Sequence, residues 1–336
     1  MSLLKKTIVT LIFSIIFIFG TGLVVVWYQL AHRPLLHRQQ SLVIQIPRGT
    51  GIAFFSAQLQ KAGLLKYPRF FIFITELNGQ ARHLKAGEYE ITDTMTVFDL
   101  LNHVVTGKVM QRSMLFVEGW TFSQYKKALL ENPHIEHTID HLSDAQIMEK
   151  LGYPKQHPEG LFFPDTYFFV WGDTDLSLLK AAYQRMQSIL AQQWQQRDEQ
   201  LPYKNSYEAL IVASLIEKET ALAEERPLIS GVILRRLQKN MLLQIDPTVL
   251  YGLGRPYGDR ITKDDLAVDT PYNTYQRYNL PPTPIDMPGK ASLFAALHPD
   301  QGEALYYVSK GDGSHYFSKT YDEHKEAIKK YLRSEG

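Results

Sequence analysis

The sequence predicts an α+β protein with a single transmembrane helix at its amino end. Residues 7–27 contain no charged side chain, residues 42–46 alternate between apolar and polar as a strand does, and residues 205–222 have the apolar spacing of a helix. The 336 residues suffice for about two domains. We therefore expect a small α+β module over residues 41–112 and a larger mixed α+β domain over residues 113–336.

The composition excludes several classes of protein. Apolar residues make up 45% of the chain and charged residues 21%, which is typical of a folded globular protein and excludes wholesale disorder. The 36 basic and 35 acidic residues leave a net charge of +1, so no overall positive field attracts nucleic acid. Cysteine is absent, which excludes disulfides, thiolate metal sites and cysteine nucleophiles.

The uncharged amino-terminal segment is long enough to cross a bilayer. At about 1.5 Å per residue, residues 7–27 span the roughly 30 Å hydrocarbon core. Trp27 and Tyr28 lie where an interfacial aromatic belt is expected. A cleavable signal peptide is the alternative, but its apolar core would end at small residues, whereas here the apolar run resumes after Gly22. We therefore assign residues 7–28 to a transmembrane anchor.

The residues that flank the anchor leave its orientation open, because their positive charges balance. These charges are Lys5 and Lys6 on one side and Arg33 and Arg38 on the other. Residues 1–6 form a short terminal tip. Residues 29–40 are polar and contain a proline, so we expect them to form a stalk between the anchor and the small module.

Strand and helix patterns alternate through the small module. Alternating apolar residues predict strands at 42–46 and 87–91. Apolar residues with helical spacing predict helices at 52–62 and 96–105, each followed by a glycine that can end a helix. A further strand, glycine turn and helix start follow within residues 114–125.

The helix predicted from Asn205 onward is unusually apolar. Asn205 and Glu208 have the spacing of a capping box, in which the two side chains bond to each other's backbone amides. Residues 210–216 are apolar on nearly every face of the helix. We expect this helix to be buried on all sides.

A carboxyl group near the end of this helix is the first candidate for catalysis. Glu219 lies on an apolar stripe with Val212, Ile216 and Ala223, whereas Glu217 points about 200° away from it. Burial and the negative end of the helix dipole raise the pKa of a carboxyl at such a position, as a general acid requires. The alternative is a solvated helix end whose carboxylates pair with Lys218 or Arg226.

Three histidines form a second candidate. His134, His137 and His141 have a spacing that can share one helix face, and histidine is a common zinc ligand. The pattern is not the His-Glu-x-x-His motif of zinc proteases, and no cysteine is available to complete a site. A solvated helix face is the alternative.

Turn-rich segments with aromatic and polar side chains form the third candidate. They can be structural turns with aromatic plugs, or they can line a carbohydrate groove in which flat rings face sugars and amides or carboxylates bind hydroxyls. The spacing alone does not separate these interpretations. The segments are residues 159–167, 243–252, 271–275 and 280–284.

Taken together, these motifs resemble those of the MltG or YceG-like family of endolytic murein transglycosylases. The resemblance covers essentially the whole chain, and its motifs follow one another in the same order. They are KAGEYEI at 85–91, VEG at 117–119, EGLFFPDTY at 159–167, ASLIEKET at 213–220, LQIDPTVLYGLG at 243–254, YNTY at 272–275, HP at 298–299 and KGDGSHYF at 310–317.

The resemblance implies an organisation and a location for each part. Residues 1–6 would lie in the cytoplasm, the anchor in the inner membrane, and the bulk of the chain in the periplasm. Residues 41–112 would form a LysM-like module, and residues 113–336 the catalytic transglycosylase domain. It implies peptidoglycan glycan strands as substrate and peptidoglycan synthases as possible partners, with no cofactor, metal or nucleic acid.

The resemblance also implies which residues act. Glu219 matches the family's catalytic glutamate. Gln244, Tyr272 and Asn273 would contact substrate by analogy with the motif order of lysozyme-like lytic transglycosylases. Asp246 and Tyr251 complete the set of expected substrate-binding residues.

The implied mechanism needs one carboxyl group rather than two. Protonated Glu219 would give its proton to the oxygen between N-acetylmuramic acid and N-acetylglucosamine, and would then remove the proton of the muramyl C6 hydroxyl as a 1,6-anhydro ring closes. Either the substrate's acetamide or Asp246 could stabilise the cationic intermediate. The rival hypotheses are a non-catalytic LysM-like scaffold and a zinc hydrolase built on the three histidines.

One segment departs from the family pattern. The family usually has glycines around its Leu-Pro-Pro segment, whereas this chain has Asn279 before it and Thr283 after it. Asparagine tolerates a positive φ and threonine does not, so we expect the loop near Thr283 to differ in shape.

Overall fold

The computed structural model describes residues 2–36 and 41–331. The chain divides into two compact units. Unit 1 is Met1–Arg112 with Phe169–Gly172, and unit 2 is Ser113–Phe168 with Asp173–Gly336. Both units combine helices and short strands, so the predicted α+β class is confirmed.

The amino-terminal helix α1 runs from Ser2 to His32. Its segment Lys5–His32 is long and apolar enough to cross a membrane by length and composition. The structure differs from the stalk predicted over residues 29–40, because α1 continues through the first four of these residues. Leu30 is buried in the core of unit 1, and the Leu35 amide donates to the Met95 carbonyl at 2.8 Å. Residues 37–40 of the predicted stalk lie outside the described residues.

Unit 1 pairs two antiparallel strands and packs helices around them. Its further elements are β1 Ser41–Ile46, α2 Ile52–Lys61, α3 Pro68–Leu77, a 3₁₀ helix at Gln80–Arg82, β2 Gly87–Thr92 and α4 Val97–Thr106. In the register of the sheet, Ile44 faces Tyr89 and Ile46 faces Gly87. The strands and helices predicted at 42–46, 52–62, 87–91 and 96–105 are all present. Helix α3 was not predicted.

Unit 2 is mainly helical, with two short two-stranded sheets, β3 with β4 and β5 with β6. Its elements are β3 Arg112–Leu115, α5 Phe122–Leu130, α6 Asp144–Leu151, β4 Thr166–Phe169, α7 Asp175–Gln195, α8 Ser206–Glu219, α9 Arg226–Gln238, α10 Asp246–Gly252, α11 Lys263–Ala267, α12 Lys290–Leu297, β5 Tyr306–Ser309, β6 His315–Ser318 and α13 Tyr321–Tyr331.

Helix α8 forms the centre of unit 2, packed by α7, α9, α10 and α12. Every residue from Ala209 to Ile216 is buried, which confirms the predicted burial on all sides. The Asn205 side chain accepts from the Glu208 amide at 3.1 Å. The return bond of the predicted capping box is replaced, because the Glu208 carboxylate accepts from the Lys204 amide at 2.7 Å.

Helix α8 ends at Glu219, where the next residue, Thr220, has extended backbone with φ −148° and ψ 139°. Ala223 is therefore outside the helix, and its place in the predicted stripe is wrong, whereas Val212 and Ile216 of that stripe are buried in α8. Glu219 is the last residue that the buried helix positions. Its side chain is consequently placed at the carboxyl end of a buried helix, next to the extended residue Thr220.

The three histidines do not lie on a helix, so the predicted helix face of His134, His137 and His141 is wrong. Their segment consists of turns and one isolated bridge, between Glu136 and Thr174. The reason is the buried Asp175 carboxylate, which accepts from the backbone amides of this segment and so replaces helical hydrogen bonds. Within residues 2–36 and 41–331, no three His, Asp or Glu side chains are grouped to hold a metal ion.

Candidate active site

Glu219 lines a cavity of about 350 Å³ in unit 2. Helix α8 contributes Glu219 and Lys218 to the wall, and helix α10 contributes Asp246 from its first turn. The loop that follows α10 adds Tyr257. Two acidic residues therefore line one cavity from two helices that pack against each other.

Burial raises the pKa of Glu219 to about 7. A hydrogen bond from the Tyr307 hydroxyl, at 2.8 Å from Oε2, acts in the opposite direction, and the negative charge of Asp246 adds to the increase. A carboxyl with this pKa exchanges its proton near neutral pH. This is the property that a single group needs in order to act first as an acid and then as a base.

The neighbours of Glu219 are held in other ways. The Lys218 ammonium donates to the Gly119 carbonyl at 2.5 Å and lies 4.5 Å from the centre of the Tyr257 ring. Glu217 accepts from the Gly289 amide at 3.0 Å. Lys218, Glu217 and Glu219 thus each bond to a different partner, and the two carboxylates are not paired with Lys218 as the alternative predicted.

Two predicted substrate-binding residues, Gln244 and Asp246, have exposed side chains near the start of α10. Gln244 has a positive φ of 52°, and its side-chain oxygen accepts from Arg236 at 3.3 Å. Asp246 accepts from the Tyr275 hydroxyl at 2.5 Å. Of the predicted binding residues, Asp246 is the one that shares the cavity with Glu219.

Tyr251 and Tyr272 belong to a different group of side chains, centred on Glu159. The Tyr251 hydroxyl donates to Glu159 at 2.9 Å, and its ring meets that of Tyr272 edge-on at 4.7 Å. Tyr272 in turn bonds to the Thr283 hydroxyl at 2.9 Å.

Glu159 is 4% exposed, and burial raises its pKa to about 7. The hydrogen bonds from the Phe122 amide and the Tyr251 hydroxyl act in the opposite direction and lower the pKa. Its environment was not predicted. The available signal was a charged residue directly before the apolar run Leu161-Phe162-Phe163. Asp286 is fully buried, and burial raises its pKa, to which the negative charges of Glu217 and Glu159 add.

Asn273 is buried, and its amide is already bonded. Its nitrogen donates to the carbonyls of Leu266 and Val268, and its oxygen accepts from the Tyr275 amide. These bonds hold the loop after α11, so a substrate contact through Asn273 would have to replace one of them. Asn279, two residues before the Pro-Pro pair, has a φ of +70°, the conformation that asparagine tolerates.

Comparison with known proteins identifies a matching family and relatives that cover most of the chain. The family model described as the YceG-like family matches residues 44–330. An endolytic murein transglycosylase of Bacillus subtilis is 32% identical over 312 residues, which cover 87% of this chain and 85% of that protein. An endolytic murein transglycosylase of Streptococcus pneumoniae is 26% identical over 328 residues, and this chain spans 59% of its length.

A solved structure has the same fold. The crystal structure of a yceG-like protein from Listeria monocytogenes superposes with a TM-score of 0.53 at 29% sequence identity. The match covers 86% of this chain and 99% of that chain.

Proposed function

The chain belongs to the YceG-like family, and we propose that it is a membrane-anchored lytic transglycosylase that cleaves peptidoglycan within its glycan strands, with Glu219 as the reacting carboxyl. The names of the relatives, endolytic murein transglycosylases, support the reaction and its substrate. The observation that carries the assignment of Glu219 is its position: it lines a cavity at the end of a buried helix, and burial raises the pKa of its carboxyl to about 7.

In the first step, protonated Glu219 gives its proton to the oxygen that joins N-acetylmuramic acid to N-acetylglucosamine. The bond between this oxygen and the muramyl C1 breaks, and N-acetylglucosamine leaves with a new hydroxyl group. The muramyl C1 becomes cationic, and Glu219 becomes a carboxylate. General acid catalysis of this kind contributes about 10²–10⁴ in rate.

In the second step, the Glu219 carboxylate removes the proton of the muramyl C6 hydroxyl. The C6 oxygen bonds to C1, which closes a 1,6-anhydro ring and restores the protonated carboxyl. No water is consumed, so one group completes the cycle. A hydrolase would instead need a second carboxyl to activate water or to act as a nucleophile.

Asp246 is the residue best able to stabilise the cationic intermediate from the protein side. It lines the same cavity, and its first-turn position in α10 is one where a negative charge is favourable. The substrate's own acetamide is the alternative. Gln244, which lies two residues before Asp246 and is exposed, is proposed to contact the glycan through its amide.

We further propose that α1 crosses the inner membrane with residues 1–6 in the cytoplasm and residues 29–336 in the periplasm, where the murein lies. The length and apolar composition of Lys5–His32 support the span. We propose that residues 41–112 act as a LysM-like glycan-binding module, since β1, α2, α3 and β2 follow in the order strand, helix, helix, strand. Synthases of peptidoglycan are the proposed partners.

The test is product analysis by mass spectrometry after the full-length, detergent-solubilised protein is incubated with purified murein sacculi. We expect muropeptides that end in 1,6-anhydro-N-acetylmuramic acid, each lighter by one water molecule than the hydrolysis product. Reducing ends would instead identify a hydrolase. Binding to sacculi with no released product would identify a non-catalytic scaffold.

A further inference from the structure

We propose that Tyr307 is a positioning residue that determines which oxygen of Glu219 carries the catalytic proton. This inference rests on the proposed catalytic role of Glu219. Tyr307 lies in β5, 88 residues from Glu219 along the chain, and its hydroxyl bonds to the Glu219 carboxyl.

The geometry gives the two oxygens of Glu219 different roles. The Tyr307 hydroxyl donates to Oε2 at 2.8 Å. An oxygen that already accepts a hydrogen bond from a fixed donor is the poorer site for the acidic proton. Oε1 is then the oxygen that carries the proton and passes it to the glycosidic bond. Burial and the charge of Glu219 raise the pKa of the Tyr307 hydroxyl, so it remains a donor throughout the catalytic pH range.

The Tyr307 ring is held by the β5–β6 hairpin. The His315 ring meets it edge-on at 5.4 Å, and the Phe317 ring lies 5.9 Å away on the facing strand. His315 is itself fixed, because its backbone amide and its Nδ1 each lie 2.7 Å from an oxygen of Glu225.

Glu225 connects this hairpin back to the end of α8. Its Oε2 also accepts from the Thr220 hydroxyl at 3.0 Å, and Thr220 directly follows Glu219. Burial alone would raise the pKa of Glu225, but the hydrogen bonds from His315 and Thr220 outweigh it and lower the pKa. The carboxylate therefore stays charged and keeps both bonds. The hairpin and the end of α8 are joined at two adjacent points, Glu219–Tyr307 and Thr220–Glu225–His315.

Loss of the Tyr307 hydroxyl should have a specific chemical consequence. A hydrogen bond to a carboxylate stabilises its charged form, so its removal raises the pKa of the carboxyl. The acid form of Glu219 would then persist to higher pH. The carboxyl would also lose the contact that fixes its orientation, and misplacement of a catalytic group by about 1 Å can cost about 10²-fold in rate.

The test compares Tyr307→Phe with Tyr306→Phe in the full-length protein in detergent. Tyr306 is the neighbouring residue of β5 and faces the other side, where its ring stacks on His324 at 5.1 Å. Initial rates of anhydromuramyl product formation are measured against substrate concentration and pH. We expect Tyr307→Phe to lower kcat about tenfold to a hundredfold with little change in KM, and to shift the alkaline limb of the pH profile upward. Tyr306→Phe should behave as the unmodified protein.

An unchanged kcat, or a lower kcat with an unmoved alkaline limb, would overturn the proposal. Should Tyr307→Phe fail to fold by circular dichroism, Glu225→Gln decides, since it weakens the second connection without touching the cavity; it should shift the limb in the same direction by a smaller amount. Glu219→Gln separates the two proposals. If that variant remains active, the proposed function fails. If it is inactive while Tyr307→Phe and Glu225→Gln behave as the unmodified protein, only the role of Tyr307 fails.

Discussion

Glu219 and Asp246 line one cavity, and the negative charge of Asp246 contributes to the raised pKa of Glu219. Glu219 ends helix α8, whereas Asp246 begins helix α10. The carboxyl end of a helix disfavours a negative charge and the amino end favours one. The two helix ends therefore place the two carboxyl groups in opposite fields, although both residues line one cavity.

The first prediction concerns the choice between neighbouring carboxyl groups. Glu219→Gln preserves size but removes the titrating proton, so we expect it to lower the formation of anhydromuramyl products by about 10⁴-fold or more. The measurement is mass spectrometry of digests of purified sacculi. Glu217→Gln is the matched control, because Glu217 bonds to the Gly289 amide and a glutamine oxygen can accept the same bond. Comparable losses in both variants would contradict the assignment.

The second prediction concerns the pH dependence of the unmodified protein. Because burial raises the pKa of Glu219 to about 7, the acid form predominates below this pH and disappears above it. We expect kcat/KM to fall about tenfold per pH unit well above pH 7. Initial rates between about pH 5 and pH 9 measure this limb. A rate that stays constant to pH 9 would exclude Glu219 as the acid.

The third prediction distinguishes the two ways of stabilising the cationic intermediate. Asp246→Asn removes a charge that raises the pKa of Glu219, so the alkaline limb should move to lower pH, opposite to the shift expected for Tyr307→Phe. If Asp246 stabilises the cation, kcat should also fall at pH 5.5, where Glu219 is protonated in both proteins. A normal kcat at that pH would assign the stabilisation to the substrate's acetamide.

Local patterns were sufficient to predict much of the fold. The strand of Ile44 and Ile46 follows a period of two residues, and α8 is recognisable because its apolar residues are contiguous. Both signals lie within a few residues of sequence. The histidine segment shows where local spacing fails, because the deciding interaction comes from Asp175, whose carboxylate replaces the helical hydrogen bonds of residues 138 and 139.

The environment of the site depends on pairs that are distant in sequence. Tyr307 and Glu219 are 88 residues apart, and Tyr251 and Glu159 are 92 apart. No periodicity can identify such pairs, since they meet only after the helices have packed. The position of Glu219 on a buried helix could be predicted, whereas the hydroxyl that bonds to it could not.

The fourth prediction concerns stability and the buried Glu159. Burial raises its pKa from 4.5 to about 7 in the folded protein, so folding disfavours its charged form. The resulting cost is absent below about pH 4.5, grows as the pH rises to about 7, and is on the order of 3 kcal/mol above that. Glu159→Gln keeps the shape but cannot ionise. We expect it to raise the thermal midpoint at pH 8.5 and to leave it nearly unchanged at pH 5.

Thermal unfolding at the two pH values measures this difference. Asp165→Asn is the control, since Asp165 belongs to the same motif but is paired with Arg185 at the surface. An equal effect of Glu159→Gln at both pH values would show that lost contacts, rather than ionisation, explain the change.

The last prediction concerns the end of the membrane helix. Residues 29–40 resemble a stalk in composition, yet Leu30 is 5% exposed and packs in the same core as Ile44 and Tyr89. Replacing a buried leucine with alanine costs about 2–5 kcal/mol. Leu30→Ala should therefore accelerate hydrogen exchange of the β1 and β2 amides by about 30-fold or more in the full-length protein in detergent, as read by mass spectrometry. Trp27→Ala, three residues earlier and 47% exposed, should leave these rates unchanged. If residues 29–40 were a free stalk, Leu30→Ala would have no more effect than Trp27→Ala, because no core contact would be lost.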